Sequence, residues 1–164
     1  MNLNNLYAER YRHVQQNLAG GSKTTFLLVA LAFAGFAVVV ILPGFGFLTA
    51  IILLLSLLAV LNAVFSSLTV VISDSDLEFW FGVGIWHKKI PITEIAGCTM
   101  VKNSWWYGWG IRLTPHGWLY NVAGWDAVEV LLKSGKKIRI GTDEPEKLYA
   151  AISRAIQVKT GSAV

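Results

Sequence analysis

No charged side chain occurs between Lys23 and Asp74. Charged residues make up only 15% of the 164-residue chain, against about 25% in a typical soluble domain, and the shortfall sits in that one block. The chain has a single cysteine, Cys98, which excludes an internal disulfide and fits a reducing compartment. Catalytic signatures are also missing. His13, His87 and His116 stand far apart, and no paired His/Cys spacing suggests a zinc site. No Gly-x-Ser-x-Gly elbow or phosphate-binding loop is present. Gly82-Val83-Gly84 and Gly108-Trp109-Gly110 are isolated glycine pairs in a β context, where turns or bulges explain them. Cys98 with His116 is the one conceivable nucleophile pair, but a lone cysteine is more often a small hydrophobe. The net charge of +4 and pI of about 9.3 come without a basic tail or continuous stripe, which argues against nucleic-acid binding. The expectation is a non-enzyme with no cofactor and no metal.

What the chain has instead is apolar length. Hydrophobic residues reach 54% and the mean hydropathy is +0.53. Thr24 to Leu42 reads TTFLLVALAFAGFAVVVIL, and Phe47 to Phe65 reads FLTAIILLLSLLAVLNAVF. Each is close to the roughly 20 residues that cross a bilayer. Pro43-Gly44-Phe45-Gly46 between them breaks the helix and permits a reversal. A signal peptide fits the first run poorly, because a polar stretch precedes it and a second run follows at once. The expectation is a transmembrane helical hairpin over 24–66, with spans 24–42 and 47–65. Arg10, Arg12 and Lys23 on one flank and Lys88 and Lys89 beyond the other put both termini in the cytoplasm, giving a two-span inner-membrane protein with the lipid bilayer as a partner. Ala30, Ala34 and Ala37, with Ala59 and Ala63 opposite, offer small faces for close helix approach; Asn62 is the one strongly polar side chain in the spans. Residues 1–23 form a cytoplasmic amphipathic segment. Within it Leu3, Leu6, Tyr7, Arg10, Val14 and Leu18 have the spacing of a surface helix.

From Leu68 onward the period changes to two. Leu68, Val70 and Ile72 alternate with polar or outward positions, Ser73-Asp74-Ser75-Asp76 turns the chain, and Leu77, Phe79 and Phe81 alternate with Glu78 and Trp80. After Gly82 to Gly84, Ile85 to Ile90 returns. Further strands are expected near Gly97 to Lys102, Trp109 to Leu113, Trp118 to Val122, Ala127 to Leu132 and Lys136 to Ile140. In the last, Ile138 and Ile140 point in while Lys137 and Arg139 point out. Short strands between glycine turns indicate an antiparallel barrel or sandwich. Asp143 and Glu146 have capping-box spacing ahead of an apolar stripe of Leu148, Ile152, Ala155 and Ile156, which predicts one covering helix. Residues 159–164 are expected to be a disordered tail.

Several stretches of local text carry a resemblance: Tyr107-Gly108-Trp109-Gly110-Ile111-Arg112, Gly117 to Gly124, Ala127-Val128-Glu129, and Gly135 to Pro145. With two apolar helices ahead, the chain resembles bacterial pleckstrin-homology-like (PH-like) membrane proteins over about Leu68 to Ile156. The resemblance implies an α+β chain: a two-helix transmembrane hairpin, then a PH-like β-barrel or sandwich of about seven strands over 67–158, capped by one C-terminal helix. It implies a scaffold or interaction surface and no reaction. Phosphoinositide binding is not carried over, because the loop Ser73-Asp74-Ser75-Asp76 is acidic where such binders are basic.

The most unusual local text is Ser104-Trp105-Trp106-Tyr107-Gly108-Trp109. Adjacent Trp105 and Trp106 cannot both face inward on one strand. Trp105, Trp106, Tyr107 and Trp109 are therefore the candidate contacts with a membrane interface or a partner, since tryptophan and tyrosine favour both. The expected partner is another membrane or cytoplasmic protein, or a second copy. The alternative is an accessory subunit of a larger membrane complex that works through the hairpin.

Overall fold

The computed structural model describes residues 11–16, 30–31, 34–35, 37, 46–82, 84 and 86–161. The period-two segments pair into two sheets. Strands β1 (Tyr11–Gln16), β2 (Ser67–Ile72), β3 (Asp76–Phe81) and β4 (His87–Pro91) form an antiparallel sheet in that order. Strands β5 (Ile95–Lys102), β6 (Gly110–Thr114), β7 (Gly117–Asn121), β8 (Asp126–Leu132) and β9 (Lys137–Gly141) form the second, in the order β5-β8-β9-β7-β6. Helix α1 (Gly46–Val64) precedes β2, and helix α2 (Pro145–Gly161) follows β9. Leu68, Val70, Ile72, Leu77, Phe79 and Phe81 from the first sheet share one core with Val128, Val130, Ile138 and Ile140 from the second. Leu148, Ile152 and Ala155 of α2 join it. Full burial of each large apolar side chain contributes about 1.5–3 kcal/mol.

The second sheet is not wholly antiparallel. β8 and β9 form a tight hairpin, closed by Leu132 N donating to Lys136 O at 2.9 Å and Gly135 N to Leu132 O at 2.8 Å. β9 then meets β7 with its other edge, and this pairing is parallel. Gly117 makes the approach possible. Its φ is +101°, and a Cβ there would run into the carbonyl oxygen of Lys137.

The expected transmembrane hairpin is corrected. Among the described residues no helix is long and apolar enough to cross a membrane. The 19 residues of α1 rise about 28 Å at 1.5 Å per residue, and their last turn is engaged with the sheets. Phe65, just beyond, packs edge-on against Phe81 at 5.4 Å, and Gly82 sits against the carbonyls of Ala63 and Val64. Of the first run, residues 30, 31, 34, 35 and 37 are helical, and the rest of 24–42 lies outside the described residues. The two-span inner-membrane location and the orientation drawn from the flanking charges fall with the hairpin. The small-residue face is also different: Ala30, Ala34 and Ala37 are exposed, and it is Gly35 whose added Cβ would lie 3.0 Å from Ile52. Asn62 keeps a buried Oδ1 with no hydrogen-bond partner.

Two terminal expectations change as well. Tyr11 to Gln16 is a strand, not part of a helix; the rest of Leu3 to Leu18 lies outside the described residues. Tyr11 aligns with Ile72 and Gln16 with Ser67, so the open edge of β2 supplies backbone partners that outweigh local helical spacing. At the other end, Asp143 does not cap α2. Thr142 Oγ1 accepts from Glu144 N at 3.0 Å, and Pro145 opens the helix. Asp143 instead meets His13 Nε2 at 2.5 Å, with Glu144 3.4 Å from Nδ1, which ties β1 to the start of α2. The helix runs to Gly161, through the first part of the expected tail.

Candidate functional site

The aromatic segment after β5 leaves the sheet as a strap. Trp105–Tyr107 form a 3-10 turn, closed by Tyr107 N to Ser104 O at 3.0 Å and Gly108 N to Trp105 O at 3.3 Å. Gly108 ends it at φ +59°, a conformation costly for any residue with a Cβ. Both feet are fixed. Asn103 N donates to Trp125 O at 2.7 Å, and Arg112 Nε donates to Trp109 O at 3.0 Å. On this rigid base the Trp105 and Trp106 rings stack at 3.7 Å between centroids while remaining 61% and 73% exposed. Tyr107 lies edge-on to His116 at 6.5 Å, and Trp109 lies 6.5 Å from Trp125. The structure thus gathers Trp105, Trp106, Tyr107 and Trp109 in one segment and adds Trp125, which the sequence did not single out as a site residue.

An ion-pair group lies at the foot of the strap. Arg139 points to the outer face of β9, as its alternation requires, but it is only 7% exposed. Its Nε donates to Glu129 at 2.8 Å and its Nη1 to Asn103 Oδ1 at 3.4 Å; Lys137 Nζ is 2.9 Å from the other Glu129 oxygen. Burial pushes the Glu129 carboxyl up, but the hydrogen bonds from Lys137 and Arg139 outweigh it and hold the group below its usual value. Glu129 is therefore ionised and structural. The expected outward Arg139 is buried because the strap residue Asn103 covers it.

The second feature is a cleft at the β6 edge. Phe79 of β3, His87 and Lys88 of β4, Trp86 just before it, Ile111 of β6, and Trp118 and Tyr120 of β7 line a cavity of about 270 Å³. Pairing sets their directions. Lys88 lies opposite Phe79 and shares its inward face with Ile90, so a lysine stands where the pattern calls for an apolar side chain. Its Nζ donates to Tyr120 OH at 3.3 Å and sits 5.4 Å from that ring's centroid. The neighbouring Lys89 faces the other way and bridges Asp76 and Glu78, at 3.0 Å to each; these hydrogen bonds push it up to about 12. The acidic turn at Ser73 to Asp76 is thus partly neutralised, since Asp76 is buried and also accepts from Ser75. In the sequence Lys88 and Lys89 stand together as flanking charges. Their positions in the alternation were the available signal that only one of them faces inward.

The residues with catalytic potential are scattered. His13 is on β1, His87 lies 3.3 Å from Glu78, and His116 is in the β6–β7 turn. Cys98 is on β5, at the opposite edge of the second sheet from β6, so four strand spacings of about 4.8 Å separate it from the His116 hairpin. Its thiol lies 3.3 Å from Ser153 Oγ, and burial pushes its pKa up, the wrong direction for a nucleophile. Among the described residues no group of three or more His, Cys, Asp or Glu could hold a metal ion. No protein-family model matches the chain, and no curated protein matches it.

Proposed function

We propose that the chain is a non-enzymatic interaction module, a PH-like scaffold that presents the Trp105–Tyr107 strap to a protein partner. The observation that carries this reading is the stacked Trp105–Trp106 pair, exposed on a segment whose two ends are hydrogen-bonded in place. Exposed contiguous aromatics are expensive in water and mark interaction surfaces. Tryptophan held rigid loses little entropy on binding, which is why it dominates hot spots. The PH-like scaffold is supported by two packed sheets followed by one helix, although the nine strands among the described residues exceed the expected seven or so.

The test is the full chain carrying Trp105→Ser and Trp106→Ser. Both side chains are exposed, so thermal stability stays within about 0.5 kcal/mol. Loss of a stoichiometric co-purifying protein, or of self-association measured by sedimentation, supports the reading. Unchanged partners together with an unchanged oligomeric state overturn it.

A second reading draws on α1. Leu53, Leu54, Leu55, Leu57, Leu58 and Leu61 all stand on the surface of one helix, and this apolar surface, which wraps more than half of its circumference, is suited to docking on a larger assembly as an accessory subunit. A partner retained by the double serine variant but lost when α1 leucines become glutamine selects this alternative.

A further inference from the structure

We infer that the cleft between β4 and β6 binds a small organic anion, a carboxylate with an aromatic or short aliphatic body. The site is independent of the strap. Inward positions of β3 and β4 elsewhere carry Leu77, Phe79, Phe81 and Ile90, and all four are buried. Lys88 breaks that series beside a cleft that opens to solvent. A lysine facing an apolar interior needs a counter-charge. Asp76 and Glu78 cannot serve, because both bind Lys89 on the opposite face of the sheet, and among the described residues no carboxylate pairs with Lys88. The ammonium is instead held by the Tyr120 hydroxyl and ring, which accounts for one of its three protons and leaves the others for a ligand.

The walls define the rest of the ligand. Phe79, Trp86, Ile111, Trp118 and Tyr120 surround the lysine with rings and aliphatic surface. They favour a flat or short apolar body, and they reduce solvent screening of the charge. The cleft has a volume of about 270 Å³. That suits a small molecule and is too little for a folded segment of a partner.

The experiment is calorimetric titration of the full chain with phenylbutyrate and, separately, with phenylbutanamide, its neutral counterpart. The acid is expected to bind roughly tenfold tighter than the amide, the scale of one charge-assisted hydrogen bond. Lys88→Met equalises the two affinities, and Lys88→Arg keeps the preference. Trp105→Ser with Trp106→Ser leaves it unchanged, so failure here is separable from failure of the strap reading. The inference is overturned if the parent chain binds neither compound, if it binds both equally, or if Lys88→Met retains the preference. Should Lys88→Met not fold, the acid-to-amide ratio of the parent chain and of Lys88→Arg decides.

Discussion

The two edges of the five-stranded sheet are covered unequally, since α2 packs over part of β5 while Leu113 of β6 is 70% exposed. At the β5 edge, α2 lies over the sheet, with Leu148 and Ile152 essentially sealed from water and Ser153 against Cys98. At the β6 edge nothing comparable among the described residues lies over Leu113 or Trp118, which share an inward row with Ile138 and Val130. Leu113 is 70% exposed and Ile138 only 3%. Period-two alternation decides which face a residue takes; the cover decides whether that face is core or binding surface. The cleft opens on the less covered side, and the strap runs from the covered edge, β5, to β6.

Substitutions on the two sides test this contrast. The largest effect is expected from Ile152→Ala on the covered edge, a loss of about 4 kcal/mol in denaturant unfolding, from lost transfer energy plus the cavity left behind. Arg139→Leu follows, at about 3 kcal/mol near neutral pH, because Glu129 loses one of its two cations in a largely buried setting. That loss has a pH signature. The Glu129 carboxyl is depressed in the folded state, so its stabilisation is present above the ordinary value of about 4 and disappears as the pH falls through the lower folded value. The gap between Arg139→Leu and the parent chain should therefore close in acid; a gap independent of pH would show that packing, not charge, sets the cost.

Tyr11→Phe is milder and reports on β1. Burial, then Glu144 and Asp143, push the Tyr11 phenol up to about 12, and its buried hydroxyl has no partner. The folded state thus holds this proton more tightly than the unfolded chain. The contribution is complete below pH ~10 and lost as the pH rises toward the folded value. Tyr11→Phe should be neutral or stabilising by up to about 1 kcal/mol and should flatten the alkaline fall in melting temperature. An unchanged alkaline limb would place the titration elsewhere. The smallest effect belongs to Leu113→Ala on the open edge, within about 0.5 kcal/mol. A loss comparable with that of Ile152→Ala would mean that the β6 edge is covered in solution, and the contrast between the edges would be gone.

Much of the strand content was readable from residue order. Leu68, Val70, Ile72 and Leu77, Phe79, Phe81 alternate cleanly because one face of each strand is core. The stripe Leu148, Ile152, Ala155 marked α2 because a helix on a sheet buries one side. Elsewhere local pattern misled. Leu3 to Leu18 has helical spacing, but Tyr11 to Gln16 within it lies against the free edge of β2, and long-range backbone pairing prevails. Asp143 had the spacing of a cap but is drawn to His13, 130 residues away in sequence. The apolar run from Phe47 has the composition of a span, yet its end is engaged by Phe81 and Gly82. Of the candidate site, the aromatic text at Trp105 to Trp109 was conspicuous, whereas Lys88 was hidden among surface charges.

By itself the sequence determined where the chain alternates, where glycine lets it turn and which residues are apolar enough to bury, since these follow from side-chain chemistry and local backbone sterics. Only the tertiary structure decided that β9 lies parallel to β7, that Arg139 is covered while Leu113 is not, and that Lys88 faces a cleft while Lys89 binds two carboxylates. Those outcomes depend on which distant segment packs on a given face, and contacts between residues far apart in the chain leave no periodic trace in it.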